Sequence, residues 1–173
     1  LGGECGHMWR VVNQYMATYN GPTPPNMEQP VSPITGTVFR NAAATKMVHI
    51  AEFTADLIHH NKLNLRPERN SGIITTFHDS CNPARAMGLL EEPREILRAV
   101  CPEFVEMPPH TIREETFCCG SGSGLNTEEI MDIRMRGGFP RANALRYVAD
   151  KYNVNWMACV CALDRAALPP LTE

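Results

Sequence analysis

Residues 117–124 read Phe-Cys-Cys-Gly-Ser-Gly-Ser-Gly, and they begin with two adjacent thiols, Cys118 and Cys119. Adjacent thiolates do not easily form a disulfide with each other, and they fit poorly as two of the four ligands of one tetrahedral zinc. They can, however, bind different irons of one iron-sulfur cluster. Gly120, Gly122 and Gly124 would let the backbone come close to whatever the sulfurs hold. This stretch therefore predicts a metal centre.

Three further thiols extend the pattern on either side of the vicinal pair. The predicted metal ligands are then Cys81, Cys118, Cys119, Cys159 and Cys161. A disulfide framework is disfavoured, because the chain holds an odd number of cysteines, 7, and two of them are adjacent. A zinc site and a coincidental set of buried cysteines are the alternatives. Cys101 is interpreted as a structural thiol, and the role of Cys5 stays open.

Composition excludes several classes of function. The chain of 173 residues predicts one domain or a compact pair of lobes. Its 16 Lys and Arg against 19 Asp and Glu give a net charge of -3, without the basic blocks that nucleic acids attract. No apolar run approaches the roughly 20 residues of a membrane span. We expect a reducing, cytoplasmic compartment and no nucleic-acid partner.

Strands and helices alternate along the predicted elements. Helices are predicted over 7–19, 42–60, 91–100, 126–136 and 140–152, and strands over 72–77, 104–107 and 154–160. Gly137 and Gly138 are predicted to separate the last two helices. The order predicts an α/β fold with a parallel sheet and a metal site beyond the carboxyl ends of its strands, where the candidate thiols fall. The proline-rich stretch 21–40 is predicted to be a linker.

The cysteine spacing resembles a known family over residues 72–168. One Cys, a long gap, Cys-Cys-Gly, a similar gap and a closing Cys pair are similar to the CCG domain of heterodisulfide reductase catalytic subunits. The run His78-Asp-Ser-Cys-Asn-Pro-Ala-Arg85, together with 118–122, most resembles DsrK-type subunits, which belong to the DsrMKJOP membrane complexes of dissimilatory sulfite reduction. Such subunits carry two CCG halves. The resemblance implies that 1–20 end a degenerate first half, that 41–173 form a complete CCG domain, and that the chain is a carboxyl-terminal portion.

The resemblance also implies a cofactor and a reaction. The cofactor is a noncubane [4Fe-4S] cluster, bound by the five thiols named above and approached by Gly120 and Gly122. The reaction is reductive cleavage of a disulfide or trisulfide, with Cys118, Cys119 and His78 as catalytic residues. His78 has ordinary hydrogen bonding at a strand end as its alternative role.

The closing cysteine pair departs from the family pattern, which is Cys-x-x-Cys. Here one residue separates Cys159 from Cys161. Either both thiols bind the cluster, or Cys161 binds it and Asp164 replaces the second thiolate.

Partners follow from the same resemblance. They are the sulfur-carrier protein DsrC and a membrane cytochrome subunit that oxidises menaquinol, so we expect membrane association through other subunits. Electrons must come from another segment or subunit, because no ferredoxin-type cysteine run occurs in these residues. The alternative is an electron-transfer iron-sulfur subunit of a glycolate- or lactate-type oxidoreductase. Arg85 is expected either to hold an anionic partner tail or to form a surface ion pair.

Overall fold

The structure, a computed structural model, describes residues 2–3, 5–20, 31–38, 48–122 and 127–172. The strands are β1 (Gly2–Gly3), β2 (Val48–His49), β3 (Ile74–His78), β4 (Glu103–Phe104) and β5 (Trp156–Cys159). The helices are α1 (Gly6–Asn20), α2 (Ile50–His59), α3 (Glu92–Val100), α4 (Met131–Tyr152), α5 (Ala162–Ala167) and α6 (Pro169–Thr172). Strands and helices alternate, so the predicted α/β class is confirmed.

The main sheet has three parallel strands in the order β4-β3-β5. β3 is central, and its β-branched residues Thr75 and Thr76 are buried. Thr75 pairs with Trp156 at one end of the β3–β5 ladder and His78 pairs with Cys159 at the other. Because the strands are parallel, the carboxyl ends of β3 and β5 lie side by side.

A second parallel pair joins β1 to β2, with Gly3 opposite His49. The prediction of a helix over 42–60 is corrected here, since residues 48–49 are extended and the helix begins at Ile50. The reason is local: the His49 side chain accepts from the Ala51 backbone, and Glu52 accepts from the His49 backbone, which fixes the helix start. Residues 42–47 lie outside the described part.

Helix α4 runs without a break from Met131 to Tyr152, which corrects the predicted separation at Gly137 and Gly138. The helix lies directly against the Cys-Cys-Gly segment, and a side chain at Gly138 would come too close to the Cys119 carbonyl. Packing against the Cys-Cys-Gly segment therefore stabilises the helix at Gly137 and Gly138, although glycines weaken a helix in isolation. Asn126, the predicted cap, lies outside the described residues.

Two apolar clusters pack α4 against the sheet and the terminal helices. One contains Met107, Ile112, Ala144, Val148 and Val154. The other contains Cys119, Ala142, Ala167, Leu168 and Leu171. One of the vicinal cysteines therefore belongs to the core, which fixes the backbone of the thiol-bearing loop.

The predicted linker is described only in part, because residues 21–30 and 39–40 lie outside the described ranges. Val31 and Val38 form an antiparallel bridge. The division into 1–20, 21–40 and 41–173 stays a prediction. No helix in the described ranges is both long and apolar enough to span a bilayer.

Candidate metal centre

The sheet places two of the thiol-bearing segments next to each other. Cys81 follows β3 in a π-helical turn over Asn82–Ala86, and Cys161 follows β5 directly before α5. Since His78 and Cys159 are paired at the carboxyl ends of these strands, both segments leave the sheet at the same end. The predicted position of the thiols beyond the carboxyl ends of the strands agrees with this geometry.

A buried ionic cluster, which we call the Asp79–Arg94 clamp, holds the loop between β3 and Cys81. Arg94 on α3 is fully buried and donates to both carboxylate oxygens of Asp79 at 2.7 Å and to Glu106 at 2.6 Å. The hydrogen bonds that Arg94 donates to both acidic groups outweigh the burial of the guanidinium and raise the pKa of Arg94. Asp79 also accepts from the Arg113 backbone at 2.7 Å. The strand end is thus tied to the segment that precedes the vicinal thiols.

Thr116 connects that clamp to the vicinal pair. Its hydroxyl lies 2.8 Å from the Asp79 carbonyl oxygen, to which it donates, and it accepts from Arg141 at 2.8 Å. Arg141 is fully buried and also donates to the Thr111 carbonyl. Burial lowers the pKa of Arg141 to about 10, which still leaves it charged at neutral pH. Three segments distant in the sequence are therefore held together directly beneath the thiols.

The Cys-Cys-Gly turn gives its two thiols different surroundings. Cys118 is exposed, whereas Cys119 is 6 % exposed. The Gly120 backbone has a φ of 84°, in the left-handed region that glycine adopts readily, and its N–H lies 3.2 Å from the Cys118 sulfur. A hydrogen bond from the Cys119 thiol and this N–H lower the pKa of Cys118, while the same bond and burial raise the pKa of Cys119.

Asp164 lies at the centre of the site, although it is 4 % exposed. His78, Cys119 and Asp164 each offer one ligand atom, and these three atoms lie within 4.8 Å of one another. His78 Nε2 is 3.4 Å from an Asp164 carboxylate oxygen, and Ser80 donates to the other. Burial alone would raise the pKa of Asp164, but hydrogen bonds from His78 and Ser80 more than offset it, so the pKa lies below its usual value.

A cleft joins this centre to the thiols of Cys81 and Cys161. We call it the thiol cleft; it is small, with a volume of about 30 Å³, and is partly open to solvent. Its wall includes Ser80, Cys81, Asn82, Cys119, Cys161 and Asp164. Cys118 lies close enough to Cys81 for its charge to raise the pKa of Cys81, after the larger effect of burial. The structure thus brings three of the five predicted ligands, Cys81, Cys119 and Cys161, around one cleft, and Cys118 lies near Cys81.

Cys159 faces different surroundings from Cys161. It lines what we call the outer cavity, of about 610 Å³, whose wall also includes Arg146, Val154, Trp156, Asp164 and Arg165. Burial and the Asp164 charge raise the pKa of Cys159 to about 11. Burial and the same charge also raise the pKa of Cys161. Asp164 therefore separates the two spaces and contributes to the wall of each.

The remaining predicted residues have varied positions. Cys5 is exposed at the start of α1, and its charge is among the smaller causes that raise the pKa of Cys161. Cys101 is buried at the end of α3. Arg85 donates to the carbonyls of Glu114 and Thr116, and its two predicted roles stay predictions. Gly122 lines the thiol cleft, and Gly124 lies outside the described residues.

Sequence reasoning missed the clamp that shapes the site. Asp79 and Ser80 stand beside the predicted strand end, and this position was a usable signal. Arg94 gave none, because a charged residue in the first turns of an amphipathic helix normally faces solvent. Arg141 gave no signal in the sequence either, because an arginine in a helix is usually exposed.

Comparison with known families agrees with the fold and the thiol pattern. The family described as a cysteine-rich domain, CCG, matches residues 75–153. These residues therefore form a CCG-type cysteine-rich domain, and the predicted CCG resemblance is confirmed. No solved structure matches the chain.

Curated relatives extend the similarity over the whole chain. The Hdr-like menaquinol oxidoreductase iron-sulfur subunit of Archaeoglobus profundus is 45% identical over 98% of this chain and 32% of its own length. The Hdr-like menaquinol oxidoreductase iron-sulfur subunit 2 of Archaeoglobus fulgidus is 43% identical over 100% of this chain and 33% of its own length. One subunit of the dihydromethanophenazine:CoB–CoM heterodisulfide reductase of Methanosarcina mazei is 37% identical over 46% of this chain and 19% of its own length. The chain thus spans about a third of the first two relatives.

Proposed function

We propose that this chain is the part of a heterodisulfide reductase-like subunit that holds a noncubane [4Fe-4S] cluster in the thiol cleft. The proposed ligands are Cys81, Cys118, Cys119 and Cys161, with Asp164 as the oxygen donor in place of the second closing thiolate. The observation that carries the proposal is the convergence of Cys81, Cys119, Cys161 and Asp164, from three loops, on one partly open cleft, with Cys118 near Cys81. The iron-sulfur relatives from Archaeoglobus support it.

The chemistry of the donor set fits a cationic cluster iron. Without a cation, burial raises the pKa values of Cys81 and Cys161; the Cys118 charge adds to the rise at Cys81, and the Asp164 carboxylate adds to the rise at both. Bound iron would reverse this, because a metal cation stabilises thiolates that burial disfavours. His78 Nδ1 is buried and makes no hydrogen bond to the described residues, so this nitrogen is available to a further polar group at the centre.

The reaction we propose is reductive cleavage of a disulfide or trisulfide. The bound cluster would supply single electrons and an open iron position for sulfur. Cys81 and Cys118 are exposed, so the substrate sulfur would approach from their side. His78 Nε2 lies 3.4 Å from an Asp164 carboxylate oxygen and helps to hold this buried group in place. The sequence resemblance supports DsrC as the disulfide-bearing partner and a membrane cytochrome subunit as the electron donor, and the relatives' names support menaquinol as the electron source.

The test is anaerobic analysis of iron and acid-labile sulfide, followed by EPR of the oxidised protein before and after addition of a thiol. We expect about four irons per chain and a signal that changes with the thiol. Cys119→Ser should abolish both, whereas Cys101→Ser, outside the thiol cleft, should retain them. A colourless zinc protein would contradict the proposal. Iron whose signal ignores the thiol would favour the electron-transfer subunit instead.

A further inference from the structure

Helix α1 makes a specific polar contact with the turn that carries Cys81. Arg10 donates through Nη1 to the Asn82 side-chain oxygen at 2.8 Å. Its Nε donates to Gln14, one turn further along the helix, at 2.9 Å, which holds the guanidinium in place. The helix backbone at Gly6 packs closely against the Pro83 ring beside this contact. Arg10, which stands 72 positions before Asn82, is thus fixed beside the turn that carries a candidate metal ligand.

The contact decides how the Asn82 amide is oriented. A guanidinium only donates hydrogen bonds, so the amide oxygen must face Arg10 and the amide NH₂ group must face away from it. In that orientation Asn82 Nδ2 lies 3.9 Å from the Cys81 sulfur, to which it donates. Arg10 therefore acts on the sulfur indirectly, by fixing which end of the amide faces it.

We propose that Arg10 is a positioning residue that, through Asn82, holds an N–H donor on the Cys81 thiolate and raises the reduction potential of the cluster. This inference rests on the proposed function. A hydrogen bond to a ligand sulfur withdraws electron density and favours the reduced cluster, which carries the more negative charge. Among the described residues Arg10 forms no ion pair, so its identified partners are the two side-chain amides of Asn82 and Gln14.

The charge of Arg10 is the competing explanation, because any nearby cation would favour the reduced cluster. The two explanations differ in whether Asn82 is needed. If Arg10 acts through the amide, its removal has no effect once Asn82 is gone. If it acts through its charge, its removal has the same effect with or without Asn82.

The experiment is an anaerobic redox titration of the cluster-loaded protein, in which the EPR signal of the oxidised state reports the fraction of oxidised cluster. We expect Asn82→Ala and Arg10→Met each to lower the ratio of reduced to oxidised cluster at a fixed potential by about threefold, the effect of losing one weak hydrogen bond. The double variant should match Asn82→Ala. The lysine of Arg10→Lys, like arginine, donates hydrogen bonds and cannot accept them, so the reduction potential of this variant should stay close to wild type. Arg69→Gln is the control, because it removes one exposed positive charge near the opposite end of β3.

The outcomes separate the inference from the function on which it rests. Wild-type protein without iron would overturn the proposed function and the inference together. Iron with an unchanged potential in Asn82→Ala would overturn the inference alone. Equal shifts from Arg10→Met in both backgrounds would also overturn it, because Arg10 would then act through its charge. If Asn82→Ala loses the cluster, Asn82→Leu, which fills more of the same space and also lacks the N–H donor, takes its place in the comparison with the double variant.

Discussion

Cys159 and Cys161 stand one residue apart in the sequence, yet they line two different spaces. Cys161 lines the thiol cleft with Cys81 and Cys119, whereas Cys159 lines the outer cavity beside Trp156. Asp164 lies between the two spaces. The difference arises where β5 ends, because the backbone turns into α5 after Cys159 and carries Cys161 to the other side. Proximity in the sequence is therefore a poor guide to which thiols line the same cleft.

The largest effect should come from exchanging each of these two cysteines for serine. We expect Cys161→Ser to lose most of its iron after anaerobic reconstitution, because the cleft loses a thiolate. We expect Cys159→Ser to keep wild-type iron and sulfide. Both variants replace one sulfur by one oxygen, so each controls for the other. Equal losses would mean that both thiols bind the cluster and that the comparison fails.

A smaller effect should follow from changing the residue that the two spaces share. Asp164→Asn keeps the shape but removes the negative charge, so we expect at least about tenfold weaker iron retention against a chelator. In metal-free protein the pKa of Cys159 should fall, since the Asp164 charge is one cause of its rise. Alkylation rates measured against pH report this change. Iron retained as in wild type would exclude Asp164 as a ligand.

The smallest effect concerns stability against pH in the metal-free protein. The pKa of Cys159 is raised to about 11, so the folded state keeps its proton where the unfolded state loses it. This contribution to the free energy of unfolding is complete below the unfolded pKa, about 8.5, and is lost as pH rises towards 11. Cys159→Ser should reduce that slope by up to about one proton, as read from denaturant titrations. Parallel curves from pH 8.5 to 11 would contradict the shift.

Sequence pattern could predict the strand ends but not the contacts between them. The β-branched run at Ile74–Phe77 predicted β3, and with it the position of Cys81 just past the sheet. Helix α4 was predicted as two pieces because Gly137 and Gly138 weaken an isolated helix, and packing against Cys119 outweighs that weakness. Strand β2 is two residues long, too short for a periodic signal.

The site was predictable to a similar extent. The thiols and Asp164 follow from motif spacing, since each stands in or near a recognisable segment. The Asp79–Arg94 clamp depends on a buried arginine, and arginines in helices are usually exposed, so no local pattern indicates it. The separation of Cys159 from Cys161 depends on one backbone turn, which spacing alone left open.

The most direct measurement is an iron anomalous difference map from crystals of the anaerobically loaded protein. The account predicts iron density in the thiol cleft, within bonding distance of Cys81, Cys119 and Cys161, with the Cys159 sulfur unbound. Iron bonded to Cys159, or density in the outer cavity and none in the cleft, would contradict it.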